Sequence, residues 1–372
     1  MPAVPAPRLV SLDVFRGLTV ALMLLVNHPG DWGHIYAPLA HAEWHGCTLA
    51  DLVFPFFLFI VGVSIAFALR KTTPALPPPY HPTLLKIWRR TAVLAGLGLF
   101  ASTWLDFDLG TLRIPGVLVR IALVYGLSVT IFLLTSWRTQ AALVAALLIG
   151  YAVLLQVLPV PGFGPANLAP ATNLGAWLDR LVFGENHLWK ESRTWDPEGL
   201  LGTLPALATG LLGGLAGQWL RWQALTARNR AVGLLIIGAA LSLAGIVWNQ
   251  WFPINKSLWT SSYVLFTGGL AALVLGGLYW LCDVRGQRRW APPFQALGVN
   301  ALAAFFGSSI LARTLNRVPI GELGVKDFLY QRGIAPWFVE PKMASLAGAL
   351  VCLLIWWVVL GGLYRRGWVW RA

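Results

Sequence analysis

Long apolar segments separated by short polar or basic stretches recur along the whole sequence. Most are long enough to cross the roughly 30 Å hydrocarbon core of a bilayer as a helix, which needs about 20 residues. A lipid-exposed backbone must satisfy its own hydrogen bonds, so the pattern predicts an all-α polytopic membrane protein. About ten transmembrane helices fit, at residues 10–28, 51–69, 91–105, 115–135, 140–158, 200–219, 231–248, 261–281, 294–313 and 343–363.

Composition supports this assignment. The 372 residues are 57% hydrophobic and only 12% charged, which is unusual for a soluble domain of that length. The formal net charge of +13 raises the question of nucleic acid. The basic residues lie between the predicted spans, however, and not on one domain face, so we expect no nucleic-acid partner.

The distribution of lysine and arginine predicts the orientation. These residues are concentrated at both ends of the chain and in four of the predicted loops, 70–90, 136–139, 220–230 and 282–293. The positive-inside bias therefore places both termini in the cytoplasm. No small-residue cleavage site follows the first apolar run, so we expect an uncleaved first span. Residues 1–372 are treated as one transmembrane domain.

A cluster of ionisable residues lies in the predicted external loop between the first two spans: His41, Glu43, His45 and Asp51. Ionisable groups are costly near hydrocarbon, so such a cluster suggests function. His41 can accept a proton from an attacking amine or hydroxyl. Asn27, at the end of the first span, can donate to a developing oxyanion.

Other interpretations of this loop stay open. His and Trp are common at membrane interfaces without any catalytic role, and His28, His34 and His45 are rival candidates for the base. His41 and His45 have the i,i+4 spacing of a metal pair, but Asp51 or Glu43 is only a guess for a third ligand, so we expect no metal. Cys47, Cys282 and Cys352 fall at different depths, so no disulfide is expected.

Two arginines flank the apolar stretch that enters the fourth span. Arg120 falls inside the span, where its guanidinium needs a carboxylate, a phosphate or a water-filled cavity. For Arg113, the nearby Asp106 and Asp108 offer a structural partner. A ligand-binding role is favoured for Arg120.

Polar residues also stand inside the first and ninth spans. Asp13 and Arg16 share a helix face at i,i+3, so they can pair with each other, or Arg16 can face an anionic ligand. Asn300 lies in the ninth span and needs a buried partner. It is better suited to holding helices together than to contacting a ligand.

Two external segments carry further candidates. Asp196 and Pro197 have the pattern of an N-cap and a first helical position, which leaves Glu198 free to bind a hydroxyl or an amine. Lys256 and Trp259 precede the eighth span, where they suit either an interfacial anchor or a ligand contact. Residues 174–183 form a candidate short helix on the membrane surface.

Six of these segments occur in the same order in a known family. The chain resembles the heparan-alpha-glucosaminide N-acetyltransferases through residues 11–17, 41–46, 51–59, 113–118, 196–201 and 255–260. One such motif alone is weak evidence, whereas six in order are strong. With no N-terminal lumenal domain recognisable, the resemblance is to the compact bacterial members, which implies a multi-pass protein of the bacterial inner membrane.

The resemblance implies a transmembrane acetyltransferase that takes acetyl-coenzyme A from the cytoplasm and acetylates the amine of a glucosamine outside. The family's active-site His matches His41 and its companion Asn matches Asn27. His45 stands where the lysosomal form has Asn, so the choice of base stays open. We assign the remaining candidates to the donor (Arg16, Arg113, Arg120, Lys256, Trp259 and Asn300) and to the acceptor (His45, Asp51 and Glu198).

Several alternatives remain at this stage. Amine and thioester can meet in a ternary complex, which we favour, or His41 can be acetylated first. A sugar permease without chemistry and an O-acyltransferase on cell-envelope glycans also fit the pattern. The expected partners are acetyl-coenzyme A, a small amino sugar and the bilayer, and the question of a homodimer stays open.

Overall fold

A computed structural model describes residues 9–69 and 81–370. Within these residues the chain is almost entirely helical. The α-helices, in chain order, are α1 Val10–Asn27, α2 Leu49–Ala68, α3 His81–Thr103, α4 Val117–Leu134, α5 Trp137–Val157, α6 Leu174–Phe183, α7 Thr203–Leu220, α8 Ala227–Trp248, α9 Ser261–Leu278, α10 Pro292–Val299, α11 Ala301–Arg317, α12 Val325–Gly333 and α13 Pro341–Arg365.

A few shorter elements join these helices. Two-residue strands, β1 Pro319–Ile320 and β2 Leu323–Gly324, form a small antiparallel hairpin before α12. A π-helical segment, Tyr279–Val284, extends α9. The predicted surface helix is present with the expected bounds as α6, and Asn173 caps it by accepting from the backbone NH of Ala176 at 2.9 Å.

Among the described residues, seven helices are long and apolar enough to cross a membrane: α1, α2, α4, α5, α8, α9 with its extension, and α13. The pair α10 and α11 makes an eighth if it is a single span bent by 70°. Each of the ten predicted spans coincides with a helix or helix pair, but length and hydropathy support seven or eight, not ten.

The other two predicted spans, which correspond to α3 and α7, depart from the hydropathy pattern for different reasons. The third span was expected to be short, yet α3 has 23 residues because its basic first half, with Lys86, Arg89 and Arg90, is helical. α7 is rich in glycine and alanine and is largely buried. Residues 70–80 of the predicted 70–90 loop lie outside the described residues.

The centre of the bundle is the packing of α2 against α7. A Cβ added to Gly62 would lie 1.9 Å from the carbonyl oxygen of Gly210, and one added to Gly213 would lie 2.0 Å from that of Phe59. The two backbones therefore touch at positions that only glycine can occupy. α1, α4 and α9 surround this pair, α3 packs on α4, α8 on α9, and α10 and α13 pack on α1.

The outer helices present apolar side chains to their surroundings. Leu354, Ile355 and Val358 on α13 are each more than half exposed. The same holds for Ile236 and Leu243 on α8. Inside a bilayer this surface faces lipid, so its exposure carries no solvation penalty. The bundle thus keeps its polar side chains inward and at its ends.

Asn300 is the buried polar residue at the break between α10 and α11. Its amide donates to the carbonyl oxygen of Trp368 at 3.1 Å and accepts from the backbone NH of Trp370 at 3.1 Å. The chain after α13 therefore folds back onto the bend. This agrees with the structural role favoured from the sequence, and Asn300 does not line the cavity described next.

Candidate active site

A cavity of about 1140 Å³ runs along the inside of the bundle. At one end it is lined by Leu9, Asp13 and Arg16, and at the other by Asn27 and His41. Asp13 and Asn27 are fourteen residues apart on α1, which corresponds to about 21 Å along the helix axis. One continuous space therefore connects the two ends of the bundle.

His41 lies at one end of the cavity and is held by Asp51. The imidazole Nδ1 is 2.7 Å from Oδ1 of Asp51, so Nδ1–H donates to the carboxylate and Nε2 keeps its lone pair. About half of the His41 side chain is exposed, whereas only 1% of the Asp51 side chain is. Asp51 thus orients the imidazole from behind and leaves its other edge accessible.

The position of Asp51 follows from how α2 begins. Asp51 is the third residue of the helix, and its Oδ2 accepts from the backbone NH of Thr48 at 3.0 Å, as in a capping box. The same oxygen accepts from the backbone NH of Ala42 at 3.1 Å. The predicted direct contact of Asp51 with the acceptor stays untested, while its bond to His41 is clear.

Lys256 completes this cluster from the loop that precedes α9. Its Nζ lies 3.1 Å from Nδ1 and 3.3 Å from Nε2 of His41, and 3.6 Å from Oδ1 of Asp51. Burial lowers the pKa of Lys256 below its ordinary value, although Asp51 and Glu198 oppose the shift. The residue proposed to contact the donor is therefore part of the His41 environment.

The rival histidines are excluded from the cavity. Burial lowers the pKa of His28 to about 4. His34 bonds to Asp31 at 2.6 Å, and the Nδ1 of His45 lies 3.4 Å from the amide of Asn255. None of the three lines the cavity, so among the histidines whose side chains are described only His41 does. The structure favours His41 over His45 as the base.

Asn27 lines the same cavity from the last turn of α1. Its side chain is exposed and makes no hydrogen bond to the described part of the protein. A free amide at this end can donate to a ligand oxygen. The sequence had brought Asn27 and His41 together only through their positions at the ends of two neighbouring segments, and in the structure both line the same cavity.

Three tryptophans at the same end were missed in the sequence. Trp44, Trp189 and Trp195 line the cavity, with ring centroids 5.0 Å apart for Trp44 and Trp195 and 5.3 Å for Trp189 and Trp195. Glu43 lines it as well. With 20 Trp in the chain, no single one stood out, and the long loop between α5 and α7 gave no reason to place two of these beside His41.

Arg113 has different partners from those expected. Its Nε and Nη2 donate to Asp196 at 2.8 and 2.6 Å, and Nη2 also donates to Glu198 at 2.5 Å. Burial disfavours the charge, but the two carboxylates outweigh it and raise the pKa of Arg113. The predicted pairing with Asp106 or Asp108 is wrong, since Asp106 bonds to Arg317 and Asp108 to Thr111.

The predicted N-cap at Asp196 is also wrong. α7 begins at Thr203, with Gly202 as its N-cap, and Asp196 instead accepts from the backbone NH of Glu198 at 2.9 Å in a tight turn. Glu198 was expected to be free to bind a hydroxyl or an amine, but in the structure it is bonded to Arg113, which it shares with Asp196. Arg113 and Glu198 both line the cavity, as members of a group in which one guanidinium is shared by two carboxylates.

Arg120 and Trp259 lie in the core, away from the cavity. Arg120 is 1% exposed, donates through Nη2 to the carbonyl oxygen of Gly199 at 2.8 Å, and stacks over Trp259 at 5.2 Å. Its Nε and Nη1 have no partner. Trp259 is fully buried and donates to Thr209 at 3.2 Å. Among the described residues no carboxylate pairs directly with Arg120, although Glu198, Asp196 and Asp179 act on it at longer range. Neither Arg120 nor Trp259 lines the cavity, so their assignment to the donor stays a prediction.

The other end of the cavity is basic. Arg16 lines it, 3.4 Å from Asp13, and donates to Ser64 at 2.9 Å, so the pairing and the cavity-facing position expected as alternatives occur together. Arg90 also lines it and lies 5.1 Å over the ring of Tyr125. Arg90 had been assigned only to topology, because its run of basic residues resembled an ordinary cytoplasmic loop.

Neither a metal site nor a reactive thiol is found in the described part of the chain. Over residues 9–69 and 81–370, no group of three His, Cys, Asp or Glu side chains is placed to hold a metal ion. Cys47, Cys282 and Cys352 are free. Burial raises the pKa of the Cys47 thiol to about 12, so it is a poor nucleophile at neutral pH.

The arrangement of groups defines what the cavity can do. An accessible imidazole nitrogen backed by a carboxylate is a proton acceptor, and a free amide in the same cavity can be an oxyanion donor. Aromatic faces and a carboxylate surround them at one end, while two guanidinium groups stand at the other. The site can therefore hold an elongated anionic molecule and present its far end to a proton acceptor.

Comparison with known proteins identifies the family that this chain resembles. Residues 8–176 match the family described as heparan-alpha-glucosaminide N-acetyltransferase, catalytic. The human protein of that name is 31% identical over 358 residues, covering 82% of this chain and 53% of the human protein. The mouse protein is 32% identical over 362 residues, covering 82% and 54%. The chain thus spans about half the length of the curated relatives it matches.

Proposed function

Because the resemblance to the heparan-alpha-glucosaminide N-acetyltransferases is confirmed over most of the chain, we propose that this protein is a transmembrane N-acetyltransferase. It transfers the acetyl group of cytoplasmic acetyl-coenzyme A to the amine of glucosamine or of a terminal glucosaminide on the other side. The observation that carries the proposal is the continuous cavity between the basic end at Arg16 and the His41–Asn27 end.

The donor is suited to this cavity by shape and charge. Coenzyme A combines phosphate groups with a long, thin pantetheine arm. Arg16 and Arg90 offer positive charge where the phosphates would enter, and guanidinium groups bind phosphate well. The remaining walls are mostly apolar, as an extended neutral arm requires. The thioester would then reach His41 and Asn27.

The chemistry proposed at His41 is general base catalysis in a ternary complex. The amine nitrogen attacks the thioester carbonyl carbon while Nε2 of His41 takes a proton from the amine. The amide of Asn27 donates to the oxyanion of the tetrahedral intermediate. The C–S bond then breaks, coenzyme A leaves as a thiolate that takes up the proton from His41, and the amide product remains. Asp51 stabilises the imidazolium in between.

The acceptor is proposed to bind among Trp44, Trp189 and Trp195. The apolar face of a pyranose ring packs well on indole rings, and such surfaces are also wide enough for the end of a longer glycan. Glu43 lies at the same end and can accept hydrogen bonds from sugar hydroxyls. These groups favour an amino sugar over a small alkyl amine.

The finer points of topology follow as part of the same proposal. α3 and α7, together with the bent pair α10 and α11, complete ten crossings, with both termini in the cytoplasm of a bacterial cell and the His41 end at the periplasmic face. α7 is rich in glycine and alanine, so its mean hydropathy is lower than that of the seven helices long and apolar enough to cross a membrane. Other helices surround it and bury most of its surface. A helix shielded from lipid does not need a strongly apolar surface.

Purified full-length protein in detergent tests the activity. With acetyl-coenzyme A and glucosamine, we expect release of free thiol and formation of an alkali-stable N-acetyl product. His41→Ala should lower the rate by about 10²–10⁴-fold, the usual contribution of a general base. His34→Ala, at an exposed position away from the cavity, is the matched control.

Three results would contradict the proposal. They are an absence of thiol release, an alkali-labile ester in place of the amide, and a His41→Ala rate equal to that of the wild type. The ester would indicate O-acylation. Uptake of unmodified sugar by proteoliposomes without donor would indicate a permease.

A further inference from the structure

We propose that the ammonium of Lys256 balances the charge of the Asp51 carboxylate, so that the His41 imidazole stays neutral and can accept a proton. The inference rests on the proposed function only in taking His41 as the base. Lys256 acts through His41 and is therefore a positioning residue.

The argument begins with the charge of Asp51. Its side chain is 1% exposed, so the carboxylate needs a nearby positive charge. Oδ2 is already engaged by backbone NH groups and by the hydroxyl of Thr48 at 3.1 Å. Among the described residues, the partners of Oδ1 are His41 and Lys256. One of these two must carry the balancing charge.

Intrinsic basicity assigns that charge to the lysine, because an ammonium group holds its proton to a much higher pH than an imidazolium does. With the ammonium of Lys256 at 3.6 Å, the carboxylate is neutralised and His41 can stay uncharged. A second positive charge on an imidazole only 3.1–3.3 Å from the ammonium would be strongly disfavoured. Without the lysine, the carboxylate would draw a proton onto the imidazole, and a protonated imidazole cannot take the proton of an attacking amine.

The loop around Lys256 is built to keep it there. Asn255 accepts from the backbone NH of Leu258 at 2.8 Å, and the backbone NH of Gly46 donates to Ile254 at 2.7 Å, which joins this loop to the His41 loop. Trp259 adopts a left-handed backbone conformation, with φ of 54°, and its buried ring anchors the turn. Strain of this kind persists only where the surroundings enforce it.

The other groups near Lys256 do not offer an alternative balance. Glu198 acts on it from the turn before α7, but that carboxylate is bonded to Arg113. The Cys47 thiol, whose pKa is raised by burial, stays neutral at ordinary pH. Asp51 and His41 remain as the pair whose charge the lysine decides.

The test is the pH dependence of His41 reactivity toward diethyl pyrocarbonate, which modifies neutral imidazole. Modification of the His41 peptide is followed by mass spectrometry on the full-length protein in detergent, so the readout does not require acetyl transfer. In Lys256→Met and Lys256→Gln, we expect the midpoint of the reactivity curve to move to higher pH by about one unit or more. Lys256→Arg keeps the charge and should keep the wild-type midpoint.

Lys190→Met is the matched control, since Lys190 is exposed and does not line the cavity. Its midpoint should equal that of the wild type. The acidic limb of the pH–rate profile for acetyl transfer should shift together with the midpoint of the reactivity curve. Unchanged midpoints in both neutral variants, or an equal shift in Lys256→Arg, overturn the inference. A shift in midpoint without any acetyl transfer would support the inference while rejecting the proposed function.

Discussion

The buried charges at the His41 end of the cavity are paired in small local groups. Asp51 pairs with Lys256, and Asp196 and Glu198 share Arg113. Removing one partner of such a buried group leaves an uncompensated charge, which is costly. Asp179 on α6 has no direct ion pair within the described residues. Its Oδ1 accepts from the backbone NH of Leu200 at 2.8 Å, and Arg120 and Arg180 act on it only at longer range.

Asp179 should make the stability of the protein depend on pH. Burial raises its pKa from 3.8 to about 7. The folded protein then holds this proton more tightly than the unfolded chain, so stability falls as pH rises from about 4 to 7 and stays lower above that. Asp179→Asn keeps the acceptor oxygen without the charge. Melting temperatures at pH 5 and pH 8 should therefore differ less in the variant, by a few degrees.

Glu185→Gln, an exposed change close to α6, is the control and should keep the wild-type difference. If Asp179→Asn also keeps it, the carboxyl is not protonated in the folded protein. The measurement uses the full-length chain in detergent at matched ionic strength.

At this scale, individual residues were predictable when their role depends on local sequence. Asn27 and His41 stand at the ends of two consecutive apolar segments, so their meeting could be expected. The partners of Arg113 are more than 80 residues away along the chain, and Lys256 is 215 residues from His41. Such pairs depend on how helices are arranged, which hydropathy does not specify.

The packing of α2 against α7 holds the elements that position the site. α2 carries Asp51, and α7 follows the turn that carries Glu198. Their contact depends on glycine, because the carbonyl oxygen of Phe59 occupies the space where a side chain at Gly213 would be. Small residues at such interfaces let helix backbones approach closely in membranes.

Gly213→Ala should destabilise the protein. Alanine gains up to about 1 kcal/mol in helix propensity, but overpacking costs about 1–3 kcal/mol or more when the obstacle is backbone. A lower melting temperature in detergent is therefore expected. Gly150→Ala on α5, where an added Cβ meets nothing within 4 Å, is the control and should match or exceed the wild type. Equal melting temperatures for the two variants would show that the helices are not in contact there.

Elements were predictable where high hydropathy continues along a whole helix. The first, second, eighth and tenth predicted spans match α1, α2, α9 and α13 to within a few residues. The pattern misplaced the start of α3, because charged residues suggested a loop. It also missed the 70° bend between α10 and α11, which a buried asparagine allows.

On the scale of the whole molecule, the proposed function depends on the cavity to link a cytoplasmic donor to an external acceptor. It extends past residues of α1 that are about 21 Å apart, most of the thickness of a bilayer core. The sequence supplied the ends of this path, as basic residues on one side and His41 on the other. That the space between them is open depends on the tilt and spacing of several helices, which no local pattern encodes.

Transfer across a sealed membrane tests this account most directly. Proteoliposomes are loaded with glucosamine, labelled acetyl-coenzyme A is added outside, and the contents are assayed for labelled N-acetylglucosamine. Protein inserted with its basic end outward should produce labelled product inside the vesicles, and His41→Ala protein should produce almost none. Product that forms only when donor and acceptor share one compartment would contradict the account.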